Sequence, residues 1–245
     1  MPEPDYNPDD SNVETFQEAF ERAQADRLAG NLDKAESTYR AMMESNDPHR
    51  RGIGHHHYAI CQQNRAWGAE GLARDEYFSH ALEHSNKGME EYEVTGNFVE
   101  ASDCLLLCSA VYRDRGDVEA TLELVRGSIA YQERHRADGD VDDGDADDQD
   151  FFDSHWALKH ARLAAALLRA GEAEEARQTI DSALGMPQQN EYFRMVTEQI
   201  AGDVYQAAGD TEAARAHYEP ALEKAHQHNE TRRIKELKLT LETLG

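Results

Sequence analysis

The chain has 245 residues and a formal net charge of −24, with 49 Asp and Glu against 25 Lys and Arg. That balance excludes nucleic acid and anionic membrane as natural partners, because neutralising phosphates needs clustered Lys and Arg. No apolar run approaches the roughly 20 residues of a membrane span, and the opening MPEPDYNPDD has neither the basic nor the apolar part of a signal peptide, so a cytoplasmic protein is expected.

Residues 1–13 are acidic and carry little to bury, and an unstructured N-terminus is expected there. From residue 14 onward a pattern recurs. Short glycine turns stand at Gly30-Asn31, Gly68-Ala69, Gly116-Asp117, Gly171-Glu172 and Gly209-Asp210, each between two stretches of helical periodicity. Seven residues before each glycine come Ala23, Cys61, Ser109, Ala164 and Gly202; five after it, Ala35, Ala73, Thr121, Ala176 and Ala214; nine after it, Tyr39, Tyr77, Val125, Ile180 and Tyr218. Two antiparallel helices joined by a tight turn approach closely only where both carry small side chains. A bulky residue one turn further on fills the space beside the crossing. Glycine in the left-handed conformation ends the first helix of each pair, and Asn or Asp beside it suits the start of the second.

This small–small–bulky pattern resembles the tetratricopeptide repeat (TPR), a helix–turn–helix unit of 34 residues. The best copies are Met195 to His228 and Ala157 to Asn190, the latter with ALLRAGEAEEARQTIDSAL. The glycine spacings depart from the consensus: 38 from Gly30 to Gly68, 48 to Gly116, 55 to Gly171 and 38 to Gly209. The consensus tryptophan is also missing, its place taken by Ala19, His57, Leu105, His160 and Glu198. The resemblance implies an all-α, right-handed superhelical array of about five TPR-like helix pairs. Repeats one to three are expected over 14–136 and repeats four and five over 151–228, separated by an acidic flexible insertion at 137–150 that includes DGDVDDGDADDQD. In 229–245, Ile234, Leu237, Leu241 and Leu244 make one apolar stripe on a charged helix, which is what capping the last repeat requires.

Lysine is scarce, six residues against nineteen arginines. With the acidic excess, this composition resembles that of haloarchaeal proteins, whose self-repulsion is screened by molar salt.

In the family's geometry the first helices of the pairs line a concave groove that holds peptides. The resemblance places Arg27, Arg65, Arg113 and Arg169 on that surface, beside Phe20 and Tyr58. Guanidinium groups bind carboxylates through paired hydrogen bonds, so a protein or peptide partner, acidic in character, is the expected ligand and a scaffold or adaptor the expected role. Two alternatives differ in class. His57 and Cys61, His80 and His84, and Cys104 and Cys108 are spaced four apart, the spacing by which a helix offers two metal ligands, so a metal- or thiol-responsive regulator is one. A self-assembling structural protein is the other. No phosphate-binding Gly-Lys-Ser/Thr loop, G-x-S-x-G elbow or H-E-x-x-H motif occurs, so neither an enzyme nor a cofactor is expected.

Overall fold

The computed structural model describes residues 15–137, 146–188 and 190–244, and every statement below concerns these. The expected N-terminal segment 1–13 lies outside them, as does 138–145 of the acidic insertion; residues 146–150 form the start of a helix.

Eleven helices follow one another, with no strand among the described residues: α1 (Phe16–Leu28), α2 (Leu32–Met43), α3 (Pro48–Trp67), α4 (Gly71–Val94), α5 (Phe98–Arg115), α6 (Val118–Ala137), α7 (Ala146–Ala170), α8 (Ala173–Leu184), α9 (Glu191–Ala207), α10 (Thr211–Gln227) and α11 (Thr231–Thr243). Their boundaries follow local chemistry. Thr15 and Glu18 close a capping box on α1, Asp47 caps α3 with Pro48 in its first turn, and Asn97, Asn190 and Asp210 cap α5, α9 and α10 through their side chains.

The helices form five antiparallel pairs and a final single helix. In the first, fourth and fifth pairs the expected small residues are buried: Ala23, Ala35, Ala164, Ala176 and Ala214 completely, with Tyr39, Ile180 and Tyr218 buried beside them. Consecutive first helices also pack on one another, α3 on α5, α5 on α7 and α7 on α9. The second helices have no comparable succession, so the first helices form the inner wall of the superhelix.

The second pair departs from the expected register. Gly68 is not left-handed (φ −96°); the left-handed residue is Gly71, at φ +56°. The turn is therefore longer and α4 enters one residue out of step. Ala73 is exposed and Tyr77 only part-buried, while Phe78 is 1% exposed and takes the bulky site. Arg74 and Arg115 sit over the Phe78 ring at 5.2 and 5.5 Å. The other four turn glycines, Gly30, Gly116, Gly171 and Gly209, have φ between +78° and +83°.

The core is a chain of patches rather than one centre, as expected where each repeat buries its neighbour's face. The largest patch runs through α7 to α11 and includes Leu167, Ile180, Met195, Val204, Tyr218 and Leu237. Ile234, Leu241 and Leu244 pack against it, and Leu239 points outward at 62% exposure, so α11 covers the last pair with the stripe read from the sequence. Between the third and fourth pairs the packing includes a buried ionic contact. Lys159, wholly buried, donates to Asp103 Oδ1 at 2.5 Å, and His155 Nδ1 lies 2.6 Å from Asp103 Oδ2. Burial alone would raise the Asp103 carboxyl; His155 and Lys159 beside it outweigh that and hold the pKa far below the usual range.

Candidate functional site: the inner face of the superhelix

The arginines expected to form a ladder on the inner wall meet different fates. Arg27 turns into the first pair: its Nε is buried without a hydrogen-bond partner, and its charge acts on Tyr39, Cys61 and His57. Arg65 is clamped by two carboxylates of α2, Glu36 on its Nε and Asp33 on its Nη2. These hydrogen bonds hold its pKa above the ordinary value. Arg113 turns back onto its neighbour, donating to Asp114 Oδ1 from Nε (2.9 Å) and Nη2 (2.8 Å). Arg169 is exposed at the end of α7, its charge reaching Asp203. The expected aromatic pair is structural. Phe20 packs edge-on against His57 at 4.9 Å, and Tyr58, 6% exposed, accepts a 2.8 Å hydrogen bond from Arg40 Nη2. Arg27 and Arg113 are thus held within their own pairs and Arg65 against the preceding one, because nearby carboxylates or the packed interior claim each side chain before solvent does.

A different group converges where the ends of α3 and α5 face α7, α9 and α11. Asp114 is its hub. Its Oδ2 accepts from Gln63 Nε2 at 3.0 Å and Trp67 Nε1 at 2.7 Å, and its backbone carbonyl accepts from Arg74 Nη2 at 2.9 Å. Across the array, Arg232 of α11 lies over the Trp67 ring at 4.2 Å, so helices 165 residues apart in sequence meet there. Arg233 donates from Nη1 to Gln199 of α9 and lies 3.7 Å from Glu230. Arg162 of α7, half-buried, feels the charges of this group. Burial lowers its pKa, and the like charges of Arg113 and Arg233 lower it further.

The sequence reading missed Arg162 and Arg233. Arg162 follows the buried Ala161, and Arg233 lies in the charged opening of a capping helix, ETRRIKEL. Neither local pattern distinguishes an inward arginine from one that merely solvates a helix.

The six His and Cys residues read as metal candidates do not come together. His84 Nδ1 meets His55 Nδ1 at 2.9 Å, Cys104 Sγ meets His56 Nδ1 at 3.3 Å, and His57 stacks on Tyr39 at 5.4 Å. Among the described residues no three His, Cys, Asp or Glu side chains are grouped to hold a metal ion. All three cysteines are buried free thiols. Burial pushes Cys61 up to about 12 and raises Cys104 and Cys108 as well, which keeps them protonated and unreactive. Among the described residues no helix is long and apolar enough to cross a membrane.

Comparison with known proteins agrees with this architecture. Residues 144–244, less than half of the chain, match the family model of a tetratricopeptide repeat-like domain. The fold is a TPR-type helical superhelix. BtubC (BKLC) from P. vanneervenii is similar over 87% of this chain and 80% of its own, with a TM-score of 0.56 at 18% identity. A Podosopora anserina kinesin light chain structure of nearly identical TPR-like repeats is similar over 88% of this chain and 96% of its own, with a TM-score of 0.52 at 13% identity. These structural likenesses concern the fold alone. Among curated proteins none matches in sequence.

Proposed function

We propose that the protein is a non-enzymatic interaction adaptor that holds an extended, acidic protein segment against the inner wall of its superhelix. The observation carrying this reading is the gathering of Arg113, Arg232 and Arg233 with Trp67 and Tyr192, where Asp114 joins Arg113 to Trp67 and the other two arginines lie over the Trp67 and Tyr192 rings, in a chain of net charge −24. Arginine and large aromatics are the side chains that dominate binding surfaces. A wall preformed by packed helices also loses little entropy on binding. Of the sequence-derived arginines, Arg169 stays in this reading as an exposed contact; Arg27 and Arg65 act as structural residues. The scattered His and Cys side chains give the metal- or thiol-responsive reading no common centre.

Photo-crosslinking tests the proposal. A crosslinking amino acid is placed at Arg169 on the inner wall or at Arg215 on the outward α10, and partners are captured in molar KCl. Adducts from the Arg169 position alone are expected. Adducts from Arg215 alone would move the interface to the outer face. Adducts only to other copies of this chain would favour a self-assembling protein.

A further inference from the structure

We propose that Arg232 and Trp67 form a clasp that joins the capping helix to the second pair and holds the superhelix closed, and that a carboxylate of the bound segment opens it by drawing Arg232 away. What opens the clasp rests on the inner-wall reading, but the clasp itself can be measured without any protein partner.

In a repeat array each unit packs on its neighbours, so the overall curvature is the sum of small rotations from one pair to the next. The helix packing of this chain follows that rule: α3 lies against α2, α4 and α5, and α11 against α10. The contact between Arg232 and Trp67 departs from it. The guanidinium carbon lies 4.2 Å from the centre of the indole ring, although the third, fourth and fifth pairs stand between the two residues along the chain. A contact between neighbouring pairs fixes one rotation. This one constrains the sum of them.

Both sides of the clasp are held in place. Trp67 donates from Nε1 to Asp114 Oδ2 at 2.7 Å, an oxygen that also accepts from Gln63, while Arg113 binds the other oxygen of that carboxylate. The ring is therefore positioned by α3 and α5 together. On α11, Arg232 donates from Nε to Glu236 at 2.7 Å, and the adjacent Arg233 is anchored on Gln199 of α9. Two consecutive residues at the start of α11 thus hold different parts of the array, Arg233 the last pair and Arg232 the second.

Strength decides what such a contact can do. Trp67 is 44% exposed and the Arg232 side chain 58%, so the pair is half in water, where a cation–π contact favours the stacked state about two- to fivefold. That bias is enough to keep the closed form in the majority and small enough for a ligand to reverse. A carboxylate takes a guanidinium through paired, charge-assisted hydrogen bonds. Once Arg232 leaves, the face of the Trp67 ring is free, and large aromatic side chains are among those that dominate binding surfaces.

The experiment uses the full chain in molar KCl with Trp156→Phe in every sample, which leaves Trp67 as the sole tryptophan. Acrylamide quenching reads the exposure of the Trp67 ring, and small-angle X-ray scattering reads the radius of gyration. Adding Arg232→Leu to this parent is expected to raise quenching about twofold, the lower end of that bias, and to enlarge the radius. Arg215→Leu, which removes a cation from the similar exposed pair with Glu219 on α10, is expected to change neither. A hexa-aspartate peptide at fixed ionic strength should move the parent toward the Arg232→Leu values and leave Arg232→Leu where it is. A larger radius in Arg232→Leu with no response of the parent to peptide keeps the clasp and removes the acidic-segment reading of the groove. Higher quenching at an unchanged radius would make the pair a local surface contact and overturn the clasp, as would parent values of both readouts in Arg232→Leu.

Discussion

The ring of Tyr218 lies flat across Gly202: a Cβ placed on Gly202 would come within 2.4 Å of Tyr218 Cε1 and 2.8 Å of Cζ. At this contact between α9 and α10 only hydrogen fits. The ring cannot step aside, because Tyr218 is 1% exposed and its hydroxyl donates to Asp203 Oδ1 at 2.7 Å. Gly202→Ala should therefore destabilise by about 1–3 kcal/mol, although alanine is the better helix former. Urea denaturation in molar KCl measures the change, and a neutral or stabilising result would mean the crossing is looser than this.

The junction of the third and fourth pairs holds a buried ion pair built on one carboxylate. Removing Asp103 strands a wholly buried Lys159 ammonium, and Asp103→Ala should cost about 3–5 kcal/mol. Replacing both, as Asp103→Leu with Lys159→Met, should recover much of that loss, since no charge is then left buried. If the single variant denatures at the wild-type midpoint, the ion pair does not hold the junction.

Acidification should act through histidines between α3 and α4. His84 is lowered to about 4 and His55 is also lowered, by burial first and then by nearby positive charge that includes Lys87; Glu83 and Glu91 pull the other way. The folded pKa lies below the unfolded value of 6.5, so the unfolded chain binds the extra proton first. Stability from these neutral rings is complete above about pH 6.5 and is lost as pH falls toward 4. Their 2.9 Å Nδ1 contact also needs one ring as acceptor, which two protonated rings cannot supply. A His84→Gln variant should lose less melting temperature than wild type across that window. Equal losses would assign the effect to other groups.

Salt should have the opposite effect from that on an ordinary protein. At −24 the folded chain repels itself, and at about 1 M salt the Debye length falls to roughly 3 Å. Helicity by circular dichroism should fall in dilute buffer and return in molar KCl. A melting temperature independent of salt would show that the acidic surface carries no such dependence.

Much of the architecture was legible in the chain. Ala23, Ala35, Ala164, Ala176 and Ala214 stand at fixed distances from turn glycines and are all fully buried at helix crossings, because close packing of two helices leaves only small side chains at the contact. The cap was equally clear, since Ile234, Leu237 and Leu241 make a single stripe. The second pair was misread by one residue. Gly68-Ala69-Glu70-Gly71 offers two glycines for one turn, and local pattern does not say which takes the left-handed conformation.

The site was far less legible than the fold. Arg65 and Arg113 occupy equivalent places in successive repeats, yet one is claimed by Glu36 and Asp33 of α2 and the other by Asp114. Equivalent positions fix where a side chain starts, and the charges around it decide where a long flexible one ends.

The sequence by itself determined the helix pairs, their tight crossings and the capping stripe, because these depend on residue size and periodicity over a few turns. Only the tertiary structure decided where the long charged side chains end. Asp114 gathers Gln63 and Trp67 of α3 with Arg113, and Arg232 of α11 comes to rest over the Trp67 ring; contacts between such distant segments have no signature in any one of them.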